Sequence, residues 1–336
     1  MRSLPLVVLV VGLLALSTCG SRQQQVRTTR VARRPTSPFD ADFADPYVLP
    51  AAGGYFAFAT GARGWHVQVA RSRDLVDWTA LGDALPELPA WTHDTGGLTW
   101  APAVLPRRGG YVLYYTTRDA ASGYQCISRA LGFRPDGPYV DVSTRPLVCQ
   151  TGEAAQMCGS IDPSPFVDHD GTPYLLWKSD ENSLGCRAAP RLWSQRLTDD
   201  GLDLVGQPTA LLARDQPWEG DVVEGPSMVM RDGRYYLFYS ANWYASSSYA
   251  IGYATCAGPT GACVKATVTA PFLGGGGAAL GPGGQELFTG TDGRLWMAYH
   301  AWSAPRTDYG QGGARSLRLA RVDFAPDGSP ETFALP

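Results

Sequence analysis

The chain has 336 residues, of which 44% are hydrophobic and 18% charged, and its formal net charge is −3. This composition is that of a globular protein, so disorder is excluded for most of the chain. Six of the 28 basic residues and none of the 31 acidic ones precede residue 39. The body of the protein is therefore acidic, which argues against nucleic acid as a partner.

The N-terminal segment is typical of an export signal. Arg2 precedes the apolar residues 4–16, a stretch too short to span a membrane as a helix. Residues 16–19, LSTC, resemble a bacterial lipobox in which Cys19 is lipid-modified; simple secretion with an incidental cysteine is the alternative. We expect a signal peptide at 1–19, a disordered Arg-rich tether at 20–38, and an exported protein that is lipid-anchored at the cell surface or secreted.

Six further cysteines remain, and an even number in an exported chain predicts disulfides. Fifteen pairings of six cysteines exist. The stretch CAGPTGAC turns back on itself through Gly and Pro, which makes Cys256–Cys263 the natural local bridge. Proximity along the chain then favours Cys126–Cys149 and Cys158–Cys186. No CxxC pair or His cluster accompanies them, which disfavours a zinc site.

A repeat of about 60 residues runs through residues 39–336. Turns followed by aromatic, alternating apolar runs begin at Gly53, Gly109, Gly171, Gly233 and Gly293. These runs have the composition and turn bracketing of strands. Self-similarity at this period is typical of blades or of a solenoid. The sequence predicts an all-β, five-bladed β-propeller in a single domain, with four short strands per blade; a large β-sandwich is the alternative.

A second element precedes the first four runs, reading ADPYVL, WAPAVL, IDPSPFV and EGPSMVM. In a propeller the innermost strand of each blade faces the axis, so elements at the same phase of each repeat point to one place. Three of the four have an acid beside the proline or one residue from it: Asp45, Asp162 and Glu224. We expect these carboxylates to converge in one axial pocket.

Three converging carboxylates repel one another, which raises at least one pKa and provides the protonated and ionised groups of acid/base chemistry. A single Asp-Pro is more often a turn device. Recurrence at the same blade phase favours the functional interpretation. A calcium site is the other use of clustered carboxylates, but the spacing is unlike an EF-hand loop.

In this order and spacing the segments FADPYV, GSIDPSPF and VEGPSM resemble glycoside hydrolase family 43, five-bladed propellers that act on arabinan, arabinoxylan and xylan. SRDLVDW, TWAPAV and YLLWKSD add to the resemblance, which spans about Phe39 to Phe324. It implies Asp45 as the general base, Asp162 as the acid that modulates pKa and orients, and Glu224 as the general acid.

Members of the family invert, and such carboxyl pairs lie roughly 6.5–9.5 Å apart. We expect that separation between Asp45 and Glu224. Glu224 should hold a proton at working pH, a state favoured by a partly dry pocket and an anionic Asp162.

Four further residues are candidates for substrate binding: Trp100, Asn242, Trp243 and Arg315. The two tryptophans are placed to stack on sugar rings, with blade packing as the alternative. Arg315 occupies the place of a family arginine that reaches the pocket from the fifth blade, with a surface arginine as the alternative. Asn242 would add a polar contact.

This sequence departs from many relatives at one position that bears on a metal ion at the propeller axis. Gln285 stands where they have a histidine near a metal or water cluster, which argues against a calcium or sodium ion here. Metal ligands are left unassigned, and the reaction requires no cofactor. His300 is a candidate axial residue, although a hydrogen-bonded core histidine is the favoured interpretation.

The sequence therefore predicts an inverting glycoside hydrolase acting on a plant-type or other pentose-containing glycan. An exo-acting α-L-arabinofuranosidase or β-xylosidase is the leading form. An endo-arabinanase of the same fold and a non-catalytic surface glycan-binding propeller are the alternatives. A membrane contact is expected only through an N-terminal lipid. Loop sequences do not fix the sugar, the linkage or the oligomeric state.

Overall fold

Short antiparallel sheets make up the protein in a computed structural model that describes residues 41–334 with gaps at 94–95, 97, 153–156, 183–185 and 187. Within those residues four sheets have four strands each, one has three, and a two-stranded hairpin stands apart. Neighbouring strands in each larger sheet follow one another in chain order. The predicted all-β fold is confirmed.

Each blade begins with its innermost strand and proceeds outward. The innermost strands are β1 (Tyr47–Ala51), β5 (Trp100–Arg107), β10 (Ser160–Val167), β14 (Val223–Arg231) and β18 (Ala279–Thr289). The second strands are β2 (Gly54–Thr60), β6 (Gly110–Arg118), β11 (Pro173–Ser179), β15 (Arg234–Ala241) and β19 (Leu295–Ser303). The third strands are β3 (Val67–Ser72), β7 (Gln125–Gly132), β12 (Arg191–Leu197), β16 (Ala250–Cys256) and β20 (Arg315–Phe324).

The outer edges are formed by β4 (Trp78–Asp83), β13 (Leu204–Ala213), β17 (Cys263–Lys265) and β21 (Pro330–Ala334). The hairpin of β8 (Thr151–Gly152) and β9 (Met157–Cys158) precedes the third blade. Two short 3-10 helices, Pro217–Glu219 and Tyr309–Gln311, lie between strands. No helix in the described part of the chain is long and apolar enough to cross a membrane.

The innermost strands form a closed ring, with β1 against β5, β5 against β10, β10 against β14, β14 against β18, and β18 against β1. Just before β1, the backbone N–H of Phe43 donates to the carbonyl of Arg315 in the last blade at 2.8 Å. Radial closure of this kind leaves only short sheet edges. The predicted five-bladed propeller is confirmed.

Apolar clusters lie between each pair of neighbouring blades. Because successive side chains of a strand point to opposite faces, each second strand contributes to two clusters. In β6, Val112 and Tyr114 pack toward the third blade while Leu113 and Tyr115 pack toward the first. This two-sided burial explains why the aromatic runs of the repeat are apolar on both faces.

The prediction of four strands in every blade is wrong for the second blade in the residues that the structure describes. Beyond β7 the chain makes only isolated bridges, Ile127 with Val148 and Leu131 with Val140. Pro138 and Pro146 interrupt this segment, and proline has no N–H to donate to a ladder. The outer edge of this blade is therefore irregular.

All three predicted disulfides are confirmed: Cys126–Cys149, Cys158–Cys186 and Cys256–Cys263. The last of these joins β16 to β17, as the CAGPTGAC turn predicts. The expected signal peptide at 1–19, its Cys19 and the tether at 20–38 lie outside the described residues.

One residue at the beginning of each inner strand, or within it, has a left-handed backbone: Asp45 (φ 51°), Ala101 (φ 44°), Asp162 (φ 57°), Gly225 (φ 57°) and Gly284 (φ 58°). In β5, β10, β14 and β18 the pairing register shifts at this point. Such a backbone is unfavourable for a non-glycine residue and is concentrated at functional sites. All of these residues line a single cavity.

Candidate active site

A cavity of about 600 Å³ lies at the end of the axis where the inner strands begin, and every blade contributes to its lining. Its size is in the usual range for small-molecule sites. The structure places every predicted site residue around it: Asp45, Trp100, Asp162, Glu224, Asn242, Trp243 and Arg315. The convergence that the repeat predicts is therefore present, while the role of each residue stays a prediction.

Asp45 is held by cationic and neutral donors from its own blade and the fifth. Thr60 Oγ1 donates to Oδ2 at 2.6 Å, and Arg315 Nη1 donates to Oδ1 at 3.3 Å. Burial alone would raise the pKa of Asp45, but the Arg315 guanidinium, together with the hydrogen bond from Thr60, outweighs burial and holds this pKa well below its usual range. Asp45 is thus ionised throughout the physiological pH range.

His300 is a core residue behind Asp45, as the favoured interpretation has it. Its side chain is fully buried, and its Nδ1 accepts the backbone N–H of Asp45 at 3.1 Å. Burial and the nearby Arg315 lower its pKa, so the imidazole is neutral near pH 7. The ring also stacks on Tyr249, with centroids 5.9 Å apart. His300 therefore links the surroundings of Asp45 to those of Glu224.

Asp162 is in the opposite electrostatic situation. Its Oδ2 accepts the backbone N–H of Gly225 at 3.0 Å, and its own N–H donates to Thr116 Oγ1 at 3.2 Å. Burial, and then repulsion from Glu224, raise the pKa of Asp162 to about 8, although the Lys178 ammonium opposes the rise. The Asp162 carboxyl is therefore mostly protonated near pH 7.

Glu224 receives a hydrogen bond on each carboxyl oxygen. Lys178 Nζ donates to Oε2 at 3.0 Å, and the Tyr249 hydroxyl donates to Oε1 at 2.7 Å. The Lys178 side chain is 1% exposed and also bonds Asp180 Oδ1 at 3.2 Å. Glu224 is thus fixed between the second strand of the third blade and the loop that leads into the third strand of the fourth.

These contacts modify the expected distribution of protons. The sequence predicts a protonated Glu224 beside an anionic Asp162, whereas in the free cavity Asp162 holds the proton. Strongly interacting carboxyls titrate as a pair. If Glu224 is the general acid, the proton of the pair must reside on it when the leaving group departs.

The rim of the cavity is aromatic on the side of the fourth and fifth blades. Trp243 is 53% exposed, and its ring centroid lies 4.9 Å from that of Tyr244. Such exposure does not fit the blade-packing alternative for Trp243. The Arg315 guanidinium lies 4.9 Å from the centroid of Tyr244 and 5.5 Å from that of Tyr309. Its side chain is 11% exposed, so the surface-arginine alternative is wrong.

Trp100 and Asn242 line the cavity in different ways. Trp100 stands at the start of β5, one residue before the left-handed Ala101. The Asn242 side chain joins its own loop to the 3-10 helix Pro217–Glu219, because Oδ1 accepts the Trp243 N–H at 2.9 Å and Nδ2 donates to the Trp218 carbonyl at 3.3 Å. Asn242 therefore shapes the segment that presents Trp243.

Several cavity residues escaped the sequence analysis: Thr60, Lys178, Tyr244, Tyr249 and Tyr309. Lys178 offered a signal, because the chain has only two lysines and this one interrupts an apolar run that predicts a buried strand. The others offered none, since tyrosines and threonines recur in every blade.

The Gln285 side chain is hydrogen-bonded to the fourth blade. Ser240 Oγ donates to its Oε1 at 2.7 Å, and its Nε2 donates to the Gly225 carbonyl. Both ends of the amide are thus engaged by protein groups. Among the described residues no group of three or more His, Cys, Asp or Glu side chains could hold a metal ion.

Comparisons with known proteins agree with this arrangement. The model of the glycosyl hydrolases family 43 matches residues 33–330. The chain is 27% identical over 308 residues to a β-D-galactofuranosidase of Aspergillus niger, covering 86% of this chain and 82% of the relative. It is 26% identical over 283 residues to the extracellular endo-α-(1→5)-L-arabinanase 1 of Bacillus subtilis, covering 77% and 80%.

A solved thermostable family-43 glycoside hydrolase has a TM-score of 0.76 and 29% identity to this chain, covering 90% of this chain and 96% of that one. The family match includes every described blade and all the carboxylates of the cavity. The protein belongs to glycoside hydrolase family 43 and is a glycosidase.

Proposed function

We propose that the protein is an inverting, exo-acting glycosidase that releases terminal α-L-arabinofuranosyl or β-xylosyl residues from pentose-containing glycans. The observation on which this rests is the division of one cavity into an ionised carboxylate, Asp45, and a proton-holding pair, Asp162 and Glu224. Inversion requires one carboxylate to take a proton from water and another carboxyl group to give one to the leaving group.

Asp45 has the properties of the general base. It is anionic, and hydrogen bonds from two blades fix its orientation. A water molecule between Asp45 and the anomeric carbon would transfer a proton to the carboxylate as its oxygen attacks. The strong partners make Asp45 a weak base, so its contribution comes mainly from holding that water in line for attack.

Glu224 is the proposed general acid. Its proton passes to the glycosidic oxygen while the bond from that oxygen to the anomeric carbon breaks and its electron pair stays on the oxygen. Asp162, which is hydrogen-bonded to the N–H of the adjacent Gly225, orients this segment and shares the proton of the pair. The proton is thereby kept within the cavity before substrate arrives.

The sugar specificity is supported by the relatives and by the rim. The B. subtilis relative is named as an arabinanase, and the A. niger relative as a galactofuranosidase. Both names refer to enzymes of the pentose or furanose class. The exposed Trp243 and the half-buried Tyr244 provide faces on which one sugar ring can stack.

A second candidate is β-D-galactofuranosidase activity. The A. niger relative with that name aligns over 86% of this chain. Galactofuranose has a five-membered ring like arabinofuranose, with an additional carbon outside the ring. The same catalytic carboxyl groups would serve both sugars, so the difference would lie in the room beside the exocyclic group.

The test is hydrolysis of aryl α-L-arabinofuranoside, aryl β-D-xyloside, aryl β-D-galactofuranoside and debranched arabinan, with the released anomer followed by proton NMR. We expect an inverted monosaccharide from one of the aryl glycosides, and we expect Glu224→Gln to lose this activity where the aryl leaving group is poor and on the glycan itself. If only arabinan is cleaved and the products are oligosaccharides, the enzyme is an endo-arabinanase and the exo assignment is wrong. Glycan binding by a folded protein with no turnover would replace it by a glycan-binding propeller.

We also propose that the chain is exported and lipid-anchored through Cys19. The apolar segment 4–16, the LSTC sequence and the word extracellular in the name of the B. subtilis relative support this. Mass spectrometry of the mature N-terminus tests it. We expect a diacylglyceryl group on Cys19 that is absent in Cys19→Ser. Cleavage at another site without lipid would mean that the protein is secreted without an anchor.

A further inference from the structure

Lys178 is the feature of the cavity that the mechanism above leaves unused. It lies in β11, where its neighbours Trp177 and Ser179 are also buried, and its side chain is 1% exposed. Lysine is almost never fully buried unless it is paired. Its ammonium has two anionic partners: Asp180 on its own blade at 3.2 Å and Glu224 on the next blade at 3.0 Å.

The two donors on Glu224 differ in what they permit. An ammonium has three N–H donors and no acceptor, so its hydrogen bond to Oε2 is strong while that oxygen is unprotonated and weak once the oxygen carries a proton. A tyrosine hydroxyl can donate or accept, so Tyr249 can stay bonded to Oε1 in either state. The Tyr249 hydroxyl also contacts the Ser240 side chain, which gives it a second partner.

We propose that Lys178 is a positioning residue that keeps Oε2 of Glu224 unprotonated, so that Oε1, beside Tyr249, is the oxygen that delivers the catalytic proton. As the Oε1–H bond breaks and the proton passes to the glycosidic oxygen, the negative charge that forms on Glu224 lies against the Lys178 ammonium. Lys178 thus strengthens the acid without touching the substrate. The inference rests on the proposed general-acid role of Glu224.

The charge of Lys178 is maintained by its partners. Burial alone would lower its pKa, but Glu224 and Asp180, followed by Asp162, raise it above the ordinary lysine value. The titratable groups that face this cluster come from several elements: Asp180 and Glu181 after β11, Asp162 on β10, Tyr249 before β16, and Asp45 before β1. The pKa of Asp162 is raised to about 8, and burial raises the pKa of Glu286 on β18, which also lines the cavity, to about 7.

The other lysine of the chain provides a matched control. Lys265 is 5% exposed and also lies between two carboxylates, Glu219 at 2.6 Å and Asp215 at 2.7 Å. It does not line the cavity. Lys265→Met therefore removes a buried, doubly paired ammonium without touching Glu224, and it measures the purely structural cost of such a change.

The experiment compares kcat/KM for aryl glycosides of increasing leaving-group pKa in wild type, Lys178→Met, Lys178→Arg, Lys178→Gln and Lys265→Met. General-acid help is worth roughly 10²–10⁴-fold for poor leaving groups. In Lys178→Met we expect about a 100-fold loss for the poorest leaving group and under about 5-fold for the best. Lys178→Arg should restore most of the loss, while Lys178→Gln, which keeps a donor but no charge, should restore little.

The pH profile gives a second readout that a structural role would not move. Removing a nearby cation raises the pKa of a carboxyl pair, so the alkaline limb of kcat/KM should shift upward by about one to three pH units in Lys178→Met and not in Lys265→Met. Equal losses for all leaving groups together with an unmoved alkaline limb would overturn the proposal.

An infrared titration of the carboxyl C=O band in the substrate-free protein separates this proposal from the proposed function. The band assigned to the pair, by its loss in Asp162→Asn, should persist to higher pH in Lys178→Met or Lys178→Gln than in wild type. That result would stand even if none of the glycosides is a substrate. An unchanged titration in both variants would refute the electrostatic role of Lys178 whatever the activity.

Discussion

The two sides of the cavity share a backbone conformation, but the pKa values of their aspartates are shifted in opposite directions. Asp45 and Asp162 both precede a proline, and both have a left-handed backbone at the same phase of their blades. On the first side the Arg315 guanidinium holds the pKa of Asp45 well below its usual range. On the other side burial and the charge of Glu224 raise the pKa of Asp162 to about 8.

The difference teaches that blade phase determines where an acid lies, whereas contacts from other blades determine its charge. Arg315 comes from β20 and Lys178 from β11, neither of which contains Asp45, Asp162 or Glu224. The Arg315 guanidinium is shared between Asp45 and Asp42, while the Lys178 ammonium is shared among Glu224, Asp180 and Asp162. One ammonium cannot neutralise the three carboxyl groups around it, so a proton remains bound to one of them.

The largest effect on activity is expected from removing the charge of Asp45. Asp45→Asn should lower kcat by about 10³-fold, because an amide cannot accept the proton of the attacking water. Asp141→Asn is the control, since Asp141 also accepts a hydrogen bond from a buried tyrosine, Tyr115 at 2.7 Å, but lies away from the cavity. Steady-state kinetics with circular dichroism as the folding check measures both. Near wild-type kcat in Asp45→Asn would exclude it as the base.

A smaller loss should follow from displacing Asp45 without altering its chemistry. A Cβ at Gly284 would lie 2.7 Å from Asp45 Oδ1 and 2.6 Å from His300 Nδ1. Gly293, with φ +75° and nothing within 4 Å of such a Cβ, has comparable backbone strain and no clash. Backbone strain should cost both alanine variants about 1 kcal/mol of stability, and the clash should cost Gly284→Ala more. Only Gly284→Ala should lose about 10- to 100-fold in kcat/KM. Equal activities would show that the position of Asp45 is not limiting.

The charge of the Asp45 side can be shifted through Arg315. Activity that needs an ionised base is lost as pH falls through the pKa of that base, so a lowered pKa of Asp45 gives an acid limb below the ordinary aspartate value. In Arg315→Met this limb of kcat/KM should move up by about one to three pH units. The exposed Arg321, which pairs with Asp323 on the same strand, provides a control in Arg321→Met. An unmoved limb would contradict the assignment of that limb to Asp45.

The smallest effect is on the free energy of unfolding. Its dependence on pH distinguishes Asp162, whose pKa is raised, from Asp45, whose pKa is lowered. The pKa of Asp162 in the folded state, about 8, lies above its unfolded value near 3.8, so the folded state binds more protons between these values. The free energy of unfolding therefore falls as pH rises from about 4 to about 8. Asp162→Asn removes this fall in the free energy of unfolding, because asparagine does not titrate. Its amide oxygen can still accept the Gly225 N–H.

We therefore expect Asp162→Asn to be more stable than wild type by about 1–2 kcal/mol at pH 8, with little difference near pH 3, where both forms are neutral. Denaturant unfolding at the two pH values measures this. A stability difference that is the same at both would mean that Asp162 does not titrate in this range.

The sequence predicts most of what depends on the repeat. The ring of blades and the convergence of Asp45, Asp162 and Glu224 follow from features at a fixed phase of each blade, whereas the place of Arg315 came only from the resemblance to the family. The local Cys256–Cys263 bridge follows from a turn of a few residues. These are properties of one blade, or of equivalent positions in several.

What escaped prediction depends on contacts between dissimilar parts of the chain. Tyr249 reaches Glu224 from the loop before β16 of the same blade, and no repeated element marks it. The protonation of Asp162 depends on burial and on Glu224 and Lys178 together, and none of these terms can be read from the order of residues. The irregular edge of the second blade depends on prolines that lie outside the repeat.

The most direct test of the division into base and acid sides is the leaving-group dependence of kcat/KM in Asp45→Asn and Glu224→Gln on the aryl glycoside that wild type cleaves. We predict that Asp45→Asn loses activity equally for good and poor leaving groups, whereas Glu224→Gln loses roughly 10²–10⁴-fold only for poor ones. The same dependence in both variants, or the reverse assignment, would contradict the account.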